Sequence, residues 1–223
     1  MSMRPQIPVR TVESEEALAF IRQMGVENVS LMLKPDEITR EVIQQQKEKL
    51  ARHHLTISDA ACGELQKNRS IHLNLPDRDE QIEKFNQMLV VLGEEKIPFT
   101  SIAWQPHGIL RTCWKVGEHT RGGSSMFCDE SEIMARPNAE PRTYTEEEIW
   151  ENFTYFMDKV IPVAEETGVR MALHPNDPPL ACMAGIPSLI YNMECYRKAF
   201  RAAKGSKALG IKLCVGCWLE SGS

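Results

Sequence analysis

The sequence predicts an α/β protein in which parallel strands alternate with crossover helices. Three observations favour this class. Short apolar runs alternate with longer segments of helical periodicity along the 223 residues. The apolar runs are nearly continuous, which is typical of strands buried on both faces. Parallel strands need a long crossover connection, and helical segments of suitable length stand between them.

Six segments have the apolar composition and the flanking turn residues of short strands. They are residues 7–10, 28–33, 55–60, 99–104, 169–174 and 208–216. A (β/α)8 TIM barrel needs eight such strands in ~250 residues. We therefore expect one domain over residues 1–223, an incomplete (β/α)8 barrel of about six β/α units that ends just past strand six. A doubly wound sheet is the alternative, but no G-x-G-x-x-G motif follows the first strand.

Five longer segments carry apolar residues at the spacing of amphipathic helices. They are residues 13–24, 34–54, 77–97, 145–168 and 187–203. Gly25 ends the first helix, and Asp36 is the expected N-cap of the second. Acidic residues fill the first turn of the third, where the helix dipole favours them. Thr145 and Glu148 predict a capping box at the start of the fourth.

The segment 105–142 breaks this rhythm because it shows no clear periodicity. Loops longer than ~12–15 residues are uncommon and often act as lids or binding loops. This segment follows a strand, so in a barrel it lies at the C-terminal face, where the active sites of such barrels are found. We expect a lid or a substrate-binding loop, and a surface excursion without function is the alternative.

Composition excludes several classes of function. The formal net charge is −5 and the pI is about 5.8, which gives no electrostatic footprint for nucleic acid or an anionic membrane. No apolar window is long enough for a membrane span. The start, MSMRPQIPVR, lacks a secretory signal, so a cytoplasmic protein is expected. The 7 cysteines are irregularly spaced, which favours free thiols or metal ligands over a disulfide framework.

The stretch MALHPNDPPL, residues 171–180, ends a predicted strand at a histidine. His174 closes strand five and Cys214 lies near the end of strand six. Neighbouring strands are ~4.8 Å apart and metal bonds to imidazole or thiolate are ~2.0–2.3 Å long, so the two side chains could share one divalent ion. A hydrogen-bonded structural histidine and a plain buried thiol fit the same pattern. Cys217 is expected to be a spectator, because using both thiols would need a shift of strand register.

Part of the sequence also resembles a known family. The stretch ENFTYFMDKVIPVAEETGVRMALHPNDPP, residues 151–179, resembles the signature region of mannonate dehydratases, and residues 76–85 and 211–216 are similar to further family segments. The resemblance implies a xylose-isomerase-like TIM barrel that binds a divalent metal, typically Mn²⁺. It implies removal of water from D-mannonate to give 2-keto-3-deoxy-D-gluconate.

The resemblance further implies roles for individual residues. His174 and Cys214 match two of the family's metal ligands, and a later histidine and aspartate are expected beyond the end of this chain. The first acidic residue of the family's H-P-D-D-P-P motif is Asn176 here, and Asp177 is kept. Both are expected to contact the substrate. The contact of Asn176 is expected to be the weaker one, because an amide replaces a carboxylate.

An anionic sugar acid entering an acidic protein needs a local cation. The candidates in the 105–142 segment are Arg111, Lys115 and Arg121, of which Arg121 beside a Gly pair is the first choice. His107 and His119 are candidates for proton transfer, without an identified carboxylate partner. Two rival functions stay open: a metal-dependent sugar isomerase or epimerase on the same barrel, and a truncated, catalytically silent chain. A homo-oligomer is possible, and neither nucleic acid nor membrane is an expected partner.

Overall fold

The computed structural model describes residues 4–117 and 120–221. Its first sheet contains three parallel strands in chain order, β1 (Gln6–Arg10), β2 (Asn28–Leu33) and β3 (Thr56–Cys62). The crossovers between them contain α1 (Glu15–Gln23) and α2 (Arg40–Ala51). Val9 pairs with Leu31, and Leu31 pairs with Ala60. All three are buried, so one apolar row crosses the sheet and fixes its register.

The second sheet is also parallel, and its spatial order follows the chain. Its strands, numbered by their place in the chain, are β4 (Phe99–Ala103), β7 (Arg170–His174) and β10 (Leu209–Ile211). Over the described residues no hydrogen-bonded ladder joins β3 to β4. All six predicted strands are thus present, but they form two three-stranded sheets that do not close into a barrel.

Helices cover the outer face of these strands. Two short ones, α3 (Gly63–Gln66) and α4 (Arg69–Leu73), lie between the third predicted strand and the third predicted helix, where the sequence pattern indicated no element. The longer ones are α5 (Arg78–Glu94), α7 (Glu146–Thr167) and α8 (Met193–Ala202). α5 packs against α7, and the Phe85 and Phe156 rings meet edge to face at 5.2 Å. Among the described helices, none combines the length and apolar composition that a membrane crossing requires.

The helix starts follow the capping rules, with two corrections. Thr145 and Glu148 form the predicted capping box of α7. The predicted cap Asp36 was wrong, because Pro35–Glu37 forms a separate 3₁₀ turn and Thr39 caps α2 by accepting from the Val42 amide at 3.2 Å. The predicted helix 187–203 begins later than expected. A short hairpin precedes it, formed by β8 (Cys182–Met183) and β9 (Ile186–Pro187), and Asn192 caps α8.

The last predicted strand is shorter than expected. β10 ends at Ile211, and α9 (Val215–Glu220) follows with Cys214 as its N-cap residue. The apolar run 208–216 therefore contains a strand end, a connection and a helix start. An unbroken apolar run does not distinguish these possibilities, since strand and buried helix share the same composition.

The 105–142 segment is partly ordered into local structure. It contains an antiparallel hairpin of β5 (Cys113–Val116) and β6 (Ser124–Phe127), followed by α6 (Glu130–Met134). The segment leaves the carboxyl end of β4. It therefore stands at the edge of the second sheet where β7 also ends, and its role as a lid or binding loop stays a prediction.

Candidate metal centre

His174 is the last residue of β7 and is half-buried. Its Nδ1 lies 2.6 Å from the Pro175 carbonyl oxygen. A carbonyl oxygen only accepts, so Nδ1 donates and Nε2 keeps its lone pair free. This contact fixes the tautomer and ring orientation in the manner usual for metal-binding histidines. Burial lowers the pKa of His174, and the charges of Lys212 and Lys67 add to this shift, whereas the Pro175 carbonyl and Asp177 oppose it. The net lowering favours the neutral ring.

Two cysteines converge on this histidine. A ring nitrogen of His174 and the Sγ atoms of Cys214 and Cys217 all lie within 4.8 Å of one another. Cys217 is three residues past the N-cap of α9, and one helical turn places both thiols on the same side. The expectation that Cys217 is a spectator assumed that this part of the chain is a strand. That premise was wrong, since the chain here is helical and no strand register has to shift. The C-x-x-C spacing was the signal for this arrangement.

The donor set fits a divalent metal ion. One imidazole and two thiols are ligand types that transition metals take in proteins, in sites of three protein ligands with an open position. Without a metal, burial raises the pKa of the Cys217 thiol. Cys214 is less buried than Cys217, so the group opens toward solvent on one side.

An open cleft of about 170 Å³ adjoins His174. Its polar lining comes from Gln66, Lys67, Ser101, Gln105, Asp177 and Lys212. Lys67 directly follows α3, and Lys212 donates its backbone amide to the Leu173 carbonyl, which holds it beside the end of β7. The cleft thus lies at the carboxyl ends of parallel strands, where open α/β folds bind ligands. A larger groove of about 580 Å³ lies beside α7 and the end of α8, but no histidine or cysteine lines it.

Two lysines supply the positive charge of this cleft, and the sequence pattern singled out neither. Burial lowers the pKa of Lys67, and Asp177 opposes that shift. Lys67 and Lys212 are 145 positions apart in the sequence and come together only through the fold. No local pattern marked them, because a single lysine after a helix or a strand is common.

Asp177 lies in the cleft wall, its surroundings fix it firmly, and its contact with a substrate stays a prediction. The Arg111 guanidinium is 2.6 Å from its Oδ1. The Gln105 side chain brackets its backbone, donating to the Asp177 carbonyl at 2.5 Å and accepting from the Asp177 amide at 3.2 Å. The Asp177–Pro178 peptide bond is cis. Arg111 is therefore the one of the three predicted cations that reaches this wall, where a carboxylate already neutralises it.

Asn176 is buried and uses its side-chain amide to join two segments of backbone. Nδ2 donates to the Trp104 carbonyl at 3.0 Å, and Oδ1 accepts from the Ile190 amide at 2.8 Å. A carboxylate has no donor for the Trp104 carbonyl. The amide therefore ties the end of β4 to the loop before α8, and contact with a substrate stays a prediction for this residue.

The remaining predicted residues lie farther out. Arg121 is exposed in a turn with φ of +50°, and Lys115 covers the Phe127 ring at 4.4 Å. His107 has a carboxylate partner that the sequence did not identify, since its Nε2 is 3.3 Å from Glu140. Burial lowers the pKa of His107, and Glu140 opposes the shift. His119 lies outside the described residues.

Comparison with known sequences points to one family. The family model described as D-mannonate dehydratase (UxuA) matches residues 124–221. A mannonate dehydratase from Streptococcus agalactiae serotype Ia is 32% identical over 203 residues, which cover 81% of this chain and 57% of that protein. One from Bacillus subtilis is 37% identical over 114 residues, covering 50% of this chain and 30% of that protein. The chain spans 57% of the length of the first of these curated relatives.

Solved structures show the same fold. Mannonate dehydratase from Streptococcus suis serotype 2 superposes with a TM-score of 0.83 at 22% identity, over 98% of this chain and 66% of that one. D-psicose 3-epimerase from Clostridium cellulolyticum H10 gives a TM-score of 0.58 at 12% identity, over 98% and 70% of the two chains. A xylose isomerase-like TIM-barrel protein from Mycobacterium smegmatis gives 0.51 at 10% identity, over 93% and 59%. The two sheets therefore match part of a TIM-barrel sugar-isomerase fold.

Proposed function

The chain belongs to the mannonate dehydratase family, and from this premise we propose that it acts as a metal-dependent hydro-lyase on D-mannonate. The product would be 2-keto-3-deoxy-D-gluconate. One observation carries the proposal: His174, with its Nε2 free, stands beside the Cys214 thiol within the segment that the family model matches. The pair lies near the carboxyl ends of parallel strands, where barrel enzymes carry their active sites.

The family is metal-dependent, and His174 and Cys214 would hold the ion in this chain. The resemblance predicts Mn²⁺. When bound, such an ion supplies Lewis-acid stabilisation of the negative charge that develops on the substrate's carboxylate oxygens. The protein's own contribution is to fix the ligands. The Pro175 carbonyl holds the His174 ring in one orientation. Hydrogen-bonded pairing of β10 with β7 places the residues that follow β10, including Cys214, near the end of β7.

The cleft is suited to an anionic sugar acid. Lys67 and Lys212 line it beside His174, and a carboxylate approaching the metal ligands would enter between their charges. Arg111 contributes less free charge, since it is paired with Asp177. Arg121, the first choice from the sequence, is exposed on the hairpin turn, and its role in substrate binding stays a prediction.

The reaction removes a proton from the carbon next to the carboxylate and a hydroxyl group from the following carbon, which leave together as water. The resulting enol becomes the 2-keto product. Two cleft groups can exchange a proton with the substrate, the Lys67 amine and the Asp177 carboxylate. The same roles for His107 and His119 stay predictions, as do a homo-oligomeric state and a cytoplasmic location.

The decisive experiment is turnover of D-mannonate by the purified chain with added Mn²⁺. We expect 2-keto-3-deoxy-D-gluconate from the wild type and at least a ~100-fold loss in His174→Ala and in Cys214→Ser, since neither can hold the metal. Cys182→Ser, which alters a half-buried thiol outside the cluster, is the matched control.

Two outcomes would redirect the proposal. Epimerisation of a ketose such as D-psicose, without dehydration of D-mannonate, would favour the sugar epimerase alternative. The similarity of the fold to a D-psicose 3-epimerase is the reason for testing it. No turnover of either substrate by a folded, metal-loaded chain would support the catalytically silent alternative.

A further inference from the structure

The C-x-x-C of Cys214 and Cys217 places a second thiol at the metal centre. We propose that Cys217 is a third protein ligand, so that His174, Cys214 and Cys217 form a one-imidazole, two-thiolate site selective for a thiophilic divalent cation such as Zn²⁺. This site shares two ligands with the proposed function, but it concerns metal binding and does not depend on the substrate.

The distances permit this without rearrangement of the fold. Bonds of ~2.0–2.3 Å in a tetrahedral zinc site put neighbouring donor atoms about 3.4–3.8 Å apart. The three donors here lie within 4.8 Å of one another. The remaining difference of roughly 1 Å is within the reach of χ rotations in Cys214 and Cys217. Both thiols are on one side of the first turn of α9.

Packing holds Cys217 in this position. Its side chain is buried, and the neighbouring Trp218 packs on Tyr196 with ring centroids 5.8 Å apart. Tyr196 donates its hydroxyl to the Leu173 carbonyl at 2.9 Å, one residue before His174. α9 is therefore anchored to the same end of β7 that carries the histidine. A purely structural thiol accounts for the burial of Cys217, but it does not account for three donor atoms that lie within 4.8 Å of one another.

The ligand chemistry then decides which metal is preferred. On binding, each thiol releases its proton to solvent, and two thiolates with a dication form a neutral centre. Soft thiolates favour zinc over manganese, which prefers oxygen ligands, and the general affinity order also places Mn²⁺ lowest. The third ligand thus changes the expectation of Mn²⁺ that comes from the family resemblance.

Cobalt substitution tests the ligand count directly. The full chain, reduced and stripped of metal, is titrated with Co²⁺, and the thiolate-to-cobalt charge-transfer absorbance is measured at saturation. We expect one ion per chain. In Cys217→Ser the absorbance should fall to about half and the affinity at least ~10-fold. Cys214→Ser should behave similarly, and Cys182→Ser should match the wild type. Unchanged absorbance in Cys217→Ser, or no Co²⁺ binding by the reduced wild type, would overturn the proposal.

A second measurement needs no variant and so does not depend on how well Cys217→Ser folds. X-ray absorption at the zinc edge of the Zn²⁺-loaded wild type should show two sulfur neighbours at about 2.3 Å. One sulfur neighbour would exclude the two-thiolate site. In competition, Zn²⁺ should displace Mn²⁺ from the wild type at least ~1,000-fold more effectively than the reverse.

The outcomes separate the two proposals. Two sulfur neighbours without turnover of D-mannonate would support the three-ligand site and contradict the dehydratase function. Turnover with a single sulfur neighbour would do the opposite.

Discussion

The buried histidine of α4 offers a quantitative test of the packing behind the cleft. His72 stacks on Trp104 with ring centroids 4.1 Å apart, and its Nδ1 is buried with no hydrogen-bond partner among the described residues. Burial lowers the pKa of His72 from 6.5 to about 3. The folded state therefore resists protonation of this ring, whereas the unfolded chain accepts a proton near its ordinary pKa.

The direction and size of the effect follow from that difference. Stability from the neutral ring is fully present above pH 6.5 and is lost as the pH falls toward 3. Each pH unit in that window costs about 1.4 kcal/mol of unfolding free energy, so moving from pH 7 to pH 5 should cost about 2 kcal/mol. Since Trp104 directly follows β4 and accepts a hydrogen bond from Asn176, the loss should also loosen the wall of the cleft.

Urea unfolding at pH 7, 6 and 5 measures this contribution. His72→Phe keeps an aromatic ring on Trp104 and removes the titrating group. Between pH 7 and pH 5 the unfolding free energy of the variant should therefore fall by about 2 kcal/mol less than that of the wild type. Protonation of several carboxylates with lowered pKa also destabilises the fold in acid. Their contribution is the same in the wild type and the variant, so it cancels in the difference between the two. His54→Gln, at an exposed position, should leave the wild-type slope unchanged. Equal slopes in wild type and His72→Phe would show that the buried ring does not titrate as its burial implies.

Three further predictions concern the cleft and the helix packing. Lys67→Met should raise the KM for D-mannonate about 10-fold, because an anion contact is lost. Lys115→Met, outside the cleft, should leave the KM unchanged. Equal KM values for the two variants in steady-state kinetics would contradict the role given to Lys67. Asn176→Asp should lower the unfolding free energy by about 1–3 kcal/mol because it removes the donor to a buried carbonyl, and an unchanged urea midpoint would contradict this. Gly93→Ala should cost about 1–3 kcal/mol, since a Cβ there would lie 2.7 Å from a side-chain carbon of α7. Gly63→Ala, with open space around it, is the control, and equal thermal midpoints for the two would rule out the close approach.

Much of the secondary structure could be predicted because its causes are local. The six strands and the capping box of α7 depend on apolar runs and on residues within three positions of one another. Errors occurred where two local solutions compete. Pro35 opens a separate turn ahead of α2, and the apolar run after Leu209 divides into a strand end and a helix.

The candidate site was predictable only in part. The resemblance around His174 pointed to the histidine and to Cys214, but the position of Cys217 beside them depended on whether the chain there is strand or helix. Glu140 could not be recognised as the partner of His107, because the 33 positions that separate them carry no periodicity that fixes their approach.

The alternation of strands and helices, the family, and two residues of the candidate metal centre could all be predicted from the sequence alone. What surrounds those two residues was settled by the tertiary fold. The fold brought Lys67 and Lys212 to one cleft, paired Arg111 with Asp177, and gave the Asn176 side chain two backbone partners that no local pattern marked. The difference arises because local hydrogen bonding and periodicity act over a few residues. Charge pairing and desolvation depend on distances in space that only the folded chain sets.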